Sequence, residues 1–368
     1  MQSVLPKISQ QPPSDLFLAR VVDVGFGYTK FSKGHIGDDW ALQCDAIPSL
    51  APAGAFDNQL SAGALSRLQV VPVEVEGQVF SVGPDALQAA PGSFRRILDE
   101  SFFTSPQYLA LMRGALHYMA LPPDRPIDCL VVGLPLNIYR NVELRNYIVK
   151  KFQGMHQLPD MGDPHRATKA HVREVHVLPQ AMGALISQAQ ANNGLGKLDQ
   201  ETHLVVDVGF GTLLWMVSQG TKPMAARCGE TMGGISTLLQ SIANDIGVGL
   251  NNNPAVLDRI DRALRDPAFE LKIKGKVVDM APHRNKVQAV ITEHVGAMSR
   301  SLGSFADIDN IYVCGGGGAH YLPLLEAAFK GYKIMCDPEK ARFENVRGFQ
   351  IVAEKRALHQ AEHRLAAA

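Results

Sequence analysis

Cysteine is scarce, tryptophan scarcer, and neither sign of charge prevails. Five cysteines stand at 44, 129, 228, 314 and 336 of a 368-residue chain. No two have ligand spacing, which argues against a disulfide framework and against a zinc site. Lys plus Arg and Asp plus Glu each number 36, so no net field draws the chain to nucleic acid or a membrane surface. The basic stretches GSFRR (92–96) and KIKGK (272–276) read as solvated surface. No apolar run reaches bilayer-spanning length and no basic-then-apolar signal pattern is present, so a cytoplasmic protein is expected. Neither G-x-x-x-x-G-K-[ST] nor a G-x-G-x-x-G run opening a helix occurs, which disfavours a P-loop enzyme and a dinucleotide-binding domain.

What remains is ordinary globular material, 46% hydrophobic and 20% charged, long enough for two domains. Residues 1–16 read as a flexible leader containing a proline pair. The stretch LFLARVVDVG then forms a buried strand ending at a turn, with YTKFSKGHI as the outgoing strand. VVPVEVEGQVFSVG (70–83) reads as a hairpin turning at Glu76-Gly77. Leu109, Met112, Leu116 and Met119 mark one helical face. PIDCLVVGLPL (126–136) is a strand stopped by Gly133 and Pro135, and YRNVELRNYIVKKFQG a helix ending at Gly154. HVREVHVLPQ is one strand running into a turn, followed by a helix over AMGALISQAQANNG. At 201–220, ETHLVVDVGFGTLLWMVSQG spells Asp-Val-Gly-Phe-Gly a second time. IDNIYVCGGGGAHYLPLLEAAF closes the readable pattern with strand, glycine run and helix. A distant internal echo of this kind suggests two similarly built α/β halves, each placing an acidic loop towards a shared cleft.

Asp23 and Asp207 each end an apolar strand. Two carboxylates facing one cleft suit a hydrated magnesium ion beside a phosphate chain, because magnesium keeps waters and takes few protein carboxylates. The adjacent glycines can present backbone N–H groups to phosphoryl oxygens. Lys30, across the first turn, can reach a terminal phosphate, and Thr29 or Thr212 can donate a hydroxyl. The four glycines of CGGGGAH (314–320) exceed what a plain tight turn needs and suit a purine ring or ribose. His171, His176 and His203 border strands without a nucleophile partner and read as packing or surface groups.

Together the three motifs resemble the superfamily of actins, heat-shock ATPases and sugar kinases. DVGFGYTK is similar to its first phosphate loop, DVGFGT to its second and GGGG to its adenosine loop. The finer pattern resembles ParM/StbA-type plasmid-segregation actins and archaeal actin-like proteins. VVGLP (131–135), VLPQAMGAL (177–185) and ENVRGF (344–349) stand where those proteins carry similar words. In length and spacing the chain is most similar to the actin-like D proteins of the PRTRC cassette of plasmids and integrated elements.

The resemblance implies an actin-like (ribonuclease H-like) duplicated α/β fold, two lobes with four subdomains around a nucleotide cleft. Domain I would span 17–200, with a smaller subdomain near 40–105, and domain II 201–345, with one near 245–295. Residues 346–368 would form a helix returning to domain I. The implied ligands are ATP or GTP with Mg2+. Asp23, Gly25, Phe26, Gly27, Tyr28, Thr29 and Lys30 match the first loop, and Asp207, Gly209, Phe210, Gly211 and Thr212 the second. Gly315, Gly316, Gly317 and Gly318 match the nucleotide loop. RCGETMGG (227–234) is similar to a base- or ribose-contacting segment, which would put Arg227 against the base, Glu230 on ribose hydroxyls and Gly233 nearby. Gln180 stands where segregation actins carry a catalytic glutamate. Its alternative is a plain helix cap, but an amide can align water, and slow turnover follows. Asp23 and Asp207 would hold the metal, mainly through water. The family implies self-association into filaments and a separate DNA-binding adaptor, without direct base reading. The rival readings are a sugar-kinase-like phosphotransferase, for which no convincing base stands near the first loop and only Asp128 and Asp160 stay open, and a non-polymerising nucleotide-binding scaffold.

Overall fold

The computed structural model describes residues 16–36, 41–54, 68–163, 166–192, 196–266 and 268–367. The expected leader, apart from Leu16, lies outside the described residues, as does part of the 40–105 stretch.

The run before the first aspartate is β1 (Ala19–Val24), with Val21, Val22 and Val24 wholly buried. Such a continuously apolar strand belongs at the centre of a covered sheet. β2 (Tyr28–Ile36) and β3 (Ala41–Pro48) follow antiparallel. The hairpin of β4 (Val71–Val75) and β5 (Gln78–Val82) turns at Glu76-Gly77, both with positive φ (52° and 78°), as a tight primed turn requires. Next come α1 (Ala86–Ala89) and α2 (Pro106–Tyr118). Ser105 caps α2 by accepting from Tyr108 N, and Pro106 occupies its first position, where no amide partner is needed. β6 (Cys129–Leu134), α3 (Leu136–Arg140), α4 (Val142–Phe152), β7 (Gly154–Gln157), β8 (Lys169–Val172), β9 (Val175–Pro179) and α5 (Gln180–Ala191) complete this half.

The second half runs β10 (Thr202–Val208), β11 (Leu213–Gln219), β12 (Lys222–Pro223), β13 (Gly229–Thr231), α6 (Ile235–Ile246) and α7 (Pro254–Arg265). It continues with β14 (Lys272–Ile273), β15 (Lys276–Val277), α8 (Ala281–Leu302), β16 (Asn310–Cys314), α9 (Gly318–Ala328), β17 (Ile334–Met335) and α10 (Glu344–Ala367). The first sheet has the order β3-β2-β1-β6-β9 and the second β12-β11-β10-β16-β17, with β13 also on β11. In both, the central strand pairs antiparallel with the strand after it and parallel with the next. Asp23 and Asp207 are each the last residue but one of that central strand. The sequence echo is therefore an echo of topology.

The halves exchange helices. α5 leaves β9 of the first sheet, yet Ala181, Ala184 and Leu185 pack with Val205, Met216 and Tyr312 of the second. α10 leaves the second half, yet Val346, Phe349, Ala353 and Ala357 pack on Ala19, Val21, Cys129 and Val131 of the first. The two helices meet at Gly183 and Gly348, where a Cβ on Gly348 would overlap the Gly183 carbonyl and one on Gly183 would overlap the Asn345 backbone.

Four local expectations need correction. Gly133 does not stop a strand but lies inside β6, where a Cβ would come within 2.7 Å of the Phe349 ring and 2.9 Å of Asp23 Oδ1. The single helix ending at Gly154 is two helices, broken at Asn141, whose side chain accepts from Leu144 N and caps α4. Gly154 opens β7 instead. HVREVHVLPQ is two strands, β8 and β9, divided at Arg173-Glu174. Arg96 of GSFRR is no solvated surface residue: its Nη1 donates to the carbonyls of Phe26, Gly27 and Ser49.

Gly348→Ala should destabilise the fold although alanine favours helix, by about 3 kcal/mol, because the obstructing atoms are backbone of α5 and cannot rotate away. A fall in the urea midpoint at unchanged slope measures it.

Candidate functional site

Each repeated motif folds as a tight hairpin end. Gly25 N donates to Tyr28 O at 3.2 Å and Gly209 N to Thr212 O at 2.9 Å. The two ends interlock. A Cβ on Gly27 would lie 2.5 Å from Phe210 Cβ, and one on Gly211 would lie 2.6 Å from Phe26 Cδ2. Each hairpin thus lays its phenylalanine over the other's glycine. Phe26 is anchored by the rings of Phe102 and Phe103, with centroids at 5.4 and 5.5 Å. The Arg96 guanidinium lies 5.0 Å over the Phe210 ring, within cation–π range.

The interlock brings both carboxylates to one region. Asp23 is completely buried; it accepts from Gln180 Nε2 at 2.7 Å and pairs with Lys30 Nζ at 3.3 Å. Lys30 faces Asp23 directly in the β1–β2 register. Asp207, only 6% exposed, accepts from Asn345 Nδ2 at 2.7 Å. Burial pushes the Asp207 carboxyl above its usual value, and nearby Asp23 adds to this. Lys30, the Asn345 hydrogen bond and the Cys314 thiol oppose it.

Beside these groups lies a cleft of about 510 Å³, within the range of small-molecule sites. Both hairpins, Lys30, Gln180, Asp207, Arg96, Arg342, the glycine run and one side of α7 line it. Gly315 has φ +84°, and a Cβ there would overlap Asp207 Oδ1. Gly316 has nothing within 4 Å of a Cβ position, so its backbone stands open to the cleft, held by Arg265 Nη1 on its carbonyl at 3.1 Å. Gly317 N donates to Val208 O at 2.9 Å, which ties the glycine loop to the second hairpin. The Arg342 guanidinium lies 4.3 Å over the Tyr28 ring.

Not every expected residue reaches this cleft. Thr29 is buried beneath the first hairpin, bonded to Ser49 Oγ at 2.9 Å. Arg227 grips Asp307 with two nitrogens and donates to Ser304 O; it is not among the residues lining the cleft. Glu230 accepts from Leu136 N at 3.0 Å and Asn137 N at 3.4 Å, capping α3 from the other half. Gly233 accepts from the Tyr321 hydroxyl and lies against His294. Gly318 is the first residue of α9 and, like Glu230 and Gly233, is outside the lining. Asp23 reaches the cleft only through Lys30 and Gln180, which line it.

Other contributors went unread in the sequence. Arg96 is buried enough to lower its guanidinium to about 10, so it stays cationic at neutral pH. Arg342 and the α7 pair Asp261–Arg265 carry no motif. Asn345 lies inside ENVRGF, where an amide precedes a glycine by three residues, as Gln180 precedes Gly183. That shared spacing is the signal that could have found it.

The donor set fits a hydrated hard cation beside phosphate. Of the two hairpin carboxylates, Asp207 lines the cleft and Asp23 lies behind it, and both are hydrogen-bonded as acceptors. Among the described residues no group of three or more His, Cys, Asp or Glu side chains is placed to hold a metal. Magnesium, content with few carboxylates and several waters, suits this arrangement. The open backbone at Gly316 fits a flat ligand.

Asp207→Asn should stabilise the ligand-free protein at pH 7 by removing a buried charge. The wild-type carboxyl has a raised native pKa, so its favourable term is present below the unfolded value of 3.8 and lost as pH rises through the native one. The gain of the variant should therefore shrink on acidification, as urea midpoints across pH will register.

By sequence, residues 21–183 match the family model for the N-terminal domain of actin-like proteins, and 205–326 that for the C-terminal domain of the MreB-like archaeal actin homologue. No curated protein matches the chain. Among solved structures, the archaeal actin homologue Ta0583 superposes with a TM-score of 0.70 at 17% identity, over 92% of this chain and 100% of its own. That homologue has also been solved in complex with ADP. Apo pSK41 ParM gives 0.64 at 18% identity over 93% and 98% of the two chains. ParM from a 15-stranded filament of Clostridium botulinum gives 0.67 at 18% over 92% and 100%. At these identities the likeness is one of fold. Two consecutive family matches and that shared fold agree: the chain belongs to the actin-like superfamily.

Proposed function

We propose that this chain binds and slowly hydrolyses a nucleoside triphosphate with magnesium, and uses the cycle to control head-to-tail self-assembly. The observation that carries the reading is the meeting of two aspartate hairpins, one lysine and an open glycine loop around one cleft. The ADP complex of Ta0583 supports nucleotide binding by a protein of this fold, and the C. botulinum ParM filament supports self-association.

The residues suit these roles on chemical grounds. Gln180 presents its NH2 to the Asp23 carboxylate, so its carbonyl oxygen is turned away and available to accept from a water. An amide orients water without abstracting its proton, which fits slow turnover. Lys30 lines the cleft while paired to Asp23, which keeps its ammonium fixed where phosphate charge would lie. Magnesium, held through water by Asp207, with Asp23 acting from behind through Lys30 and Gln180, would neutralise phosphate charge. Asp128, proposed as a phosphotransferase base, is buried between Arg173 and Arg364. Asp160 caps the Gly162 amide at 2.9 Å. Neither lines the cleft, so the rival loses the bases named for it.

We assign domain I to 17–200 and domain II to 201–345, with 346–368 returning to domain I and smaller subdomains near 40–105 and 245–295. A cytoplasmic role in plasmid or mobile-element segregation, through a separate DNA-binding adaptor, completes the proposal. Among the described residues no helix is long and apolar enough to cross a membrane.

Calorimetric titration with Mg-ATP should show binding that ADP competes for, and light scattering should rise with ATP above a threshold protein concentration. Binding without any assembly would leave a nucleotide-controlled scaffold. Asp207→Ala should fold yet lose magnesium-dependent hydrolysis, on the order of 10²-fold; wild-type phosphate release from it would remove the metal role.

A further inference from the structure

We propose that Asn345 is the second lobe's counterpart of Gln180, a positioning residue that holds the Asp207 carboxylate in the orientation a magnesium ion and its waters require. The inference rests on the nucleotide-cleft reading above.

The internal symmetry of the fold points to it first. Gln180 is the opening residue of α5 and Asn345 the second residue of α10. These are the two exchanged helices, and each amide stands three residues ahead of the glycine at which they cross. Each donates at 2.7 Å to the aspartate of its own half, Gln180 Nε2 to Asp23 Oδ1 and Asn345 Nδ2 to Asp207 Oδ2. Two hairpins, two carboxylates and two amides thus repeat as one set.

The second reason is that Asp207 lacks what Asp23 has. The residue opposite Asp23 in the antiparallel register is Lys30, whereas the residue opposite Asp207 is Leu214. A buried carboxylate needs donors, and in this half they are the Asn345 amide, at 2.7 Å, and the weaker Cys314 thiol. The arrangement is one-sided: Asn345 Oδ1 is buried without a hydrogen-bond partner. Turning the amide over would set its carbonyl against the carboxylate, so the contact with Asp207 dictates the rotamer. Asp207 Oδ1, in turn, lies against Gly315, where no Cβ fits. With one oxygen bonded to Asn345 and the other confined by Gly315, the carboxylate cannot rotate.

The third reason is placement. Asp207 lines the cleft and Asn345 does not, so the amide acts through the carboxylate. Partners of this kind orient a ligand group and tune its metal affinity by about 10- to 100-fold.

The test compares ADP affinity of the full chain in magnesium and in EDTA, for the wild type, Asn345→Ala and Asn345→Ser. The ratio of the two affinities is the magnesium gain. For Asn345→Ala the gain should fall about 10-fold or more, with affinity in EDTA kept within about twofold; Asn345→Ser, which retains a donor, should recover much of it. An undiminished gain in Asn345→Ala, or equal losses in both variants, would overturn the assignment while leaving the nucleotide cleft intact. A wild type that binds ADP in neither condition would sink the cleft reading, and this one with it. Should neither variant fold, the side-chain amide resonances of Asn345 in the wild-type ADP complex provide the measurement. They should shift when magnesium replaces EDTA, and a spectrum without that shift refutes the proposal.

Discussion

The reciprocal seating of Phe26 over Gly211 and Phe210 over Gly27 is the interaction on which the rest of the site depends. Each ring occupies space that exists only because the facing residue has no side chain. Phe26 belongs to the large core of the first half, and Phe210 packs against the large cores of both. Burying two rings in this way is favourable by several kcal/mol in total. It also fixes the register of one hairpin against the other. Asp23 and Asp207 each lie three residues before their ring, so they are brought to one region as a consequence.

That region is electrostatically costly. Two carboxylates are withdrawn from water, and Asp23 acts on Asp207 as a like charge. Lys30 answers the cost on one side through a direct ion pair, and the amide of Asn345 answers it on the other. A residual penalty remains on Asp207, whose carboxyl is pushed upward by burial. Perturbed carboxylates of this sort cluster at functional sites.

Besides the phenylalanine interlock and the apolar packing of the exchanged helices, the halves share contacts of two kinds. At the α5–α10 crossing, backbone meets backbone at Gly183 and Gly348, with no side chain to rearrange. Around the cleft the ties are polar and separable: Glu230 on the α3 amides, Arg140 Nη2 on Ala225 O at 3.0 Å, Arg96 over Phe210 and Arg342 over Tyr28.

How far each feature was legible follows from its physical range. The chain by itself determined the repeated strand–hairpin units, because a continuously apolar strand, an acidic end and a Gly-x-Gly turn are local statements readable at 17–36 and again at 201–220. It also determined the glycine loop after β16 and the primed turn at Glu76-Gly77, since both depend on backbone freedom. Only the tertiary structure decided that Glu230 caps a helix of the other half and that Arg227 pairs with Asp307. It alone turned Arg96 inward and brought Asn345 to Asp207. Those outcomes are set by partners 47 to 138 positions away in the chain. A charged or amide side chain looks the same in sequence whether it meets water, a carbonyl or a carboxylate; which one it meets is settled when the two halves close on each other.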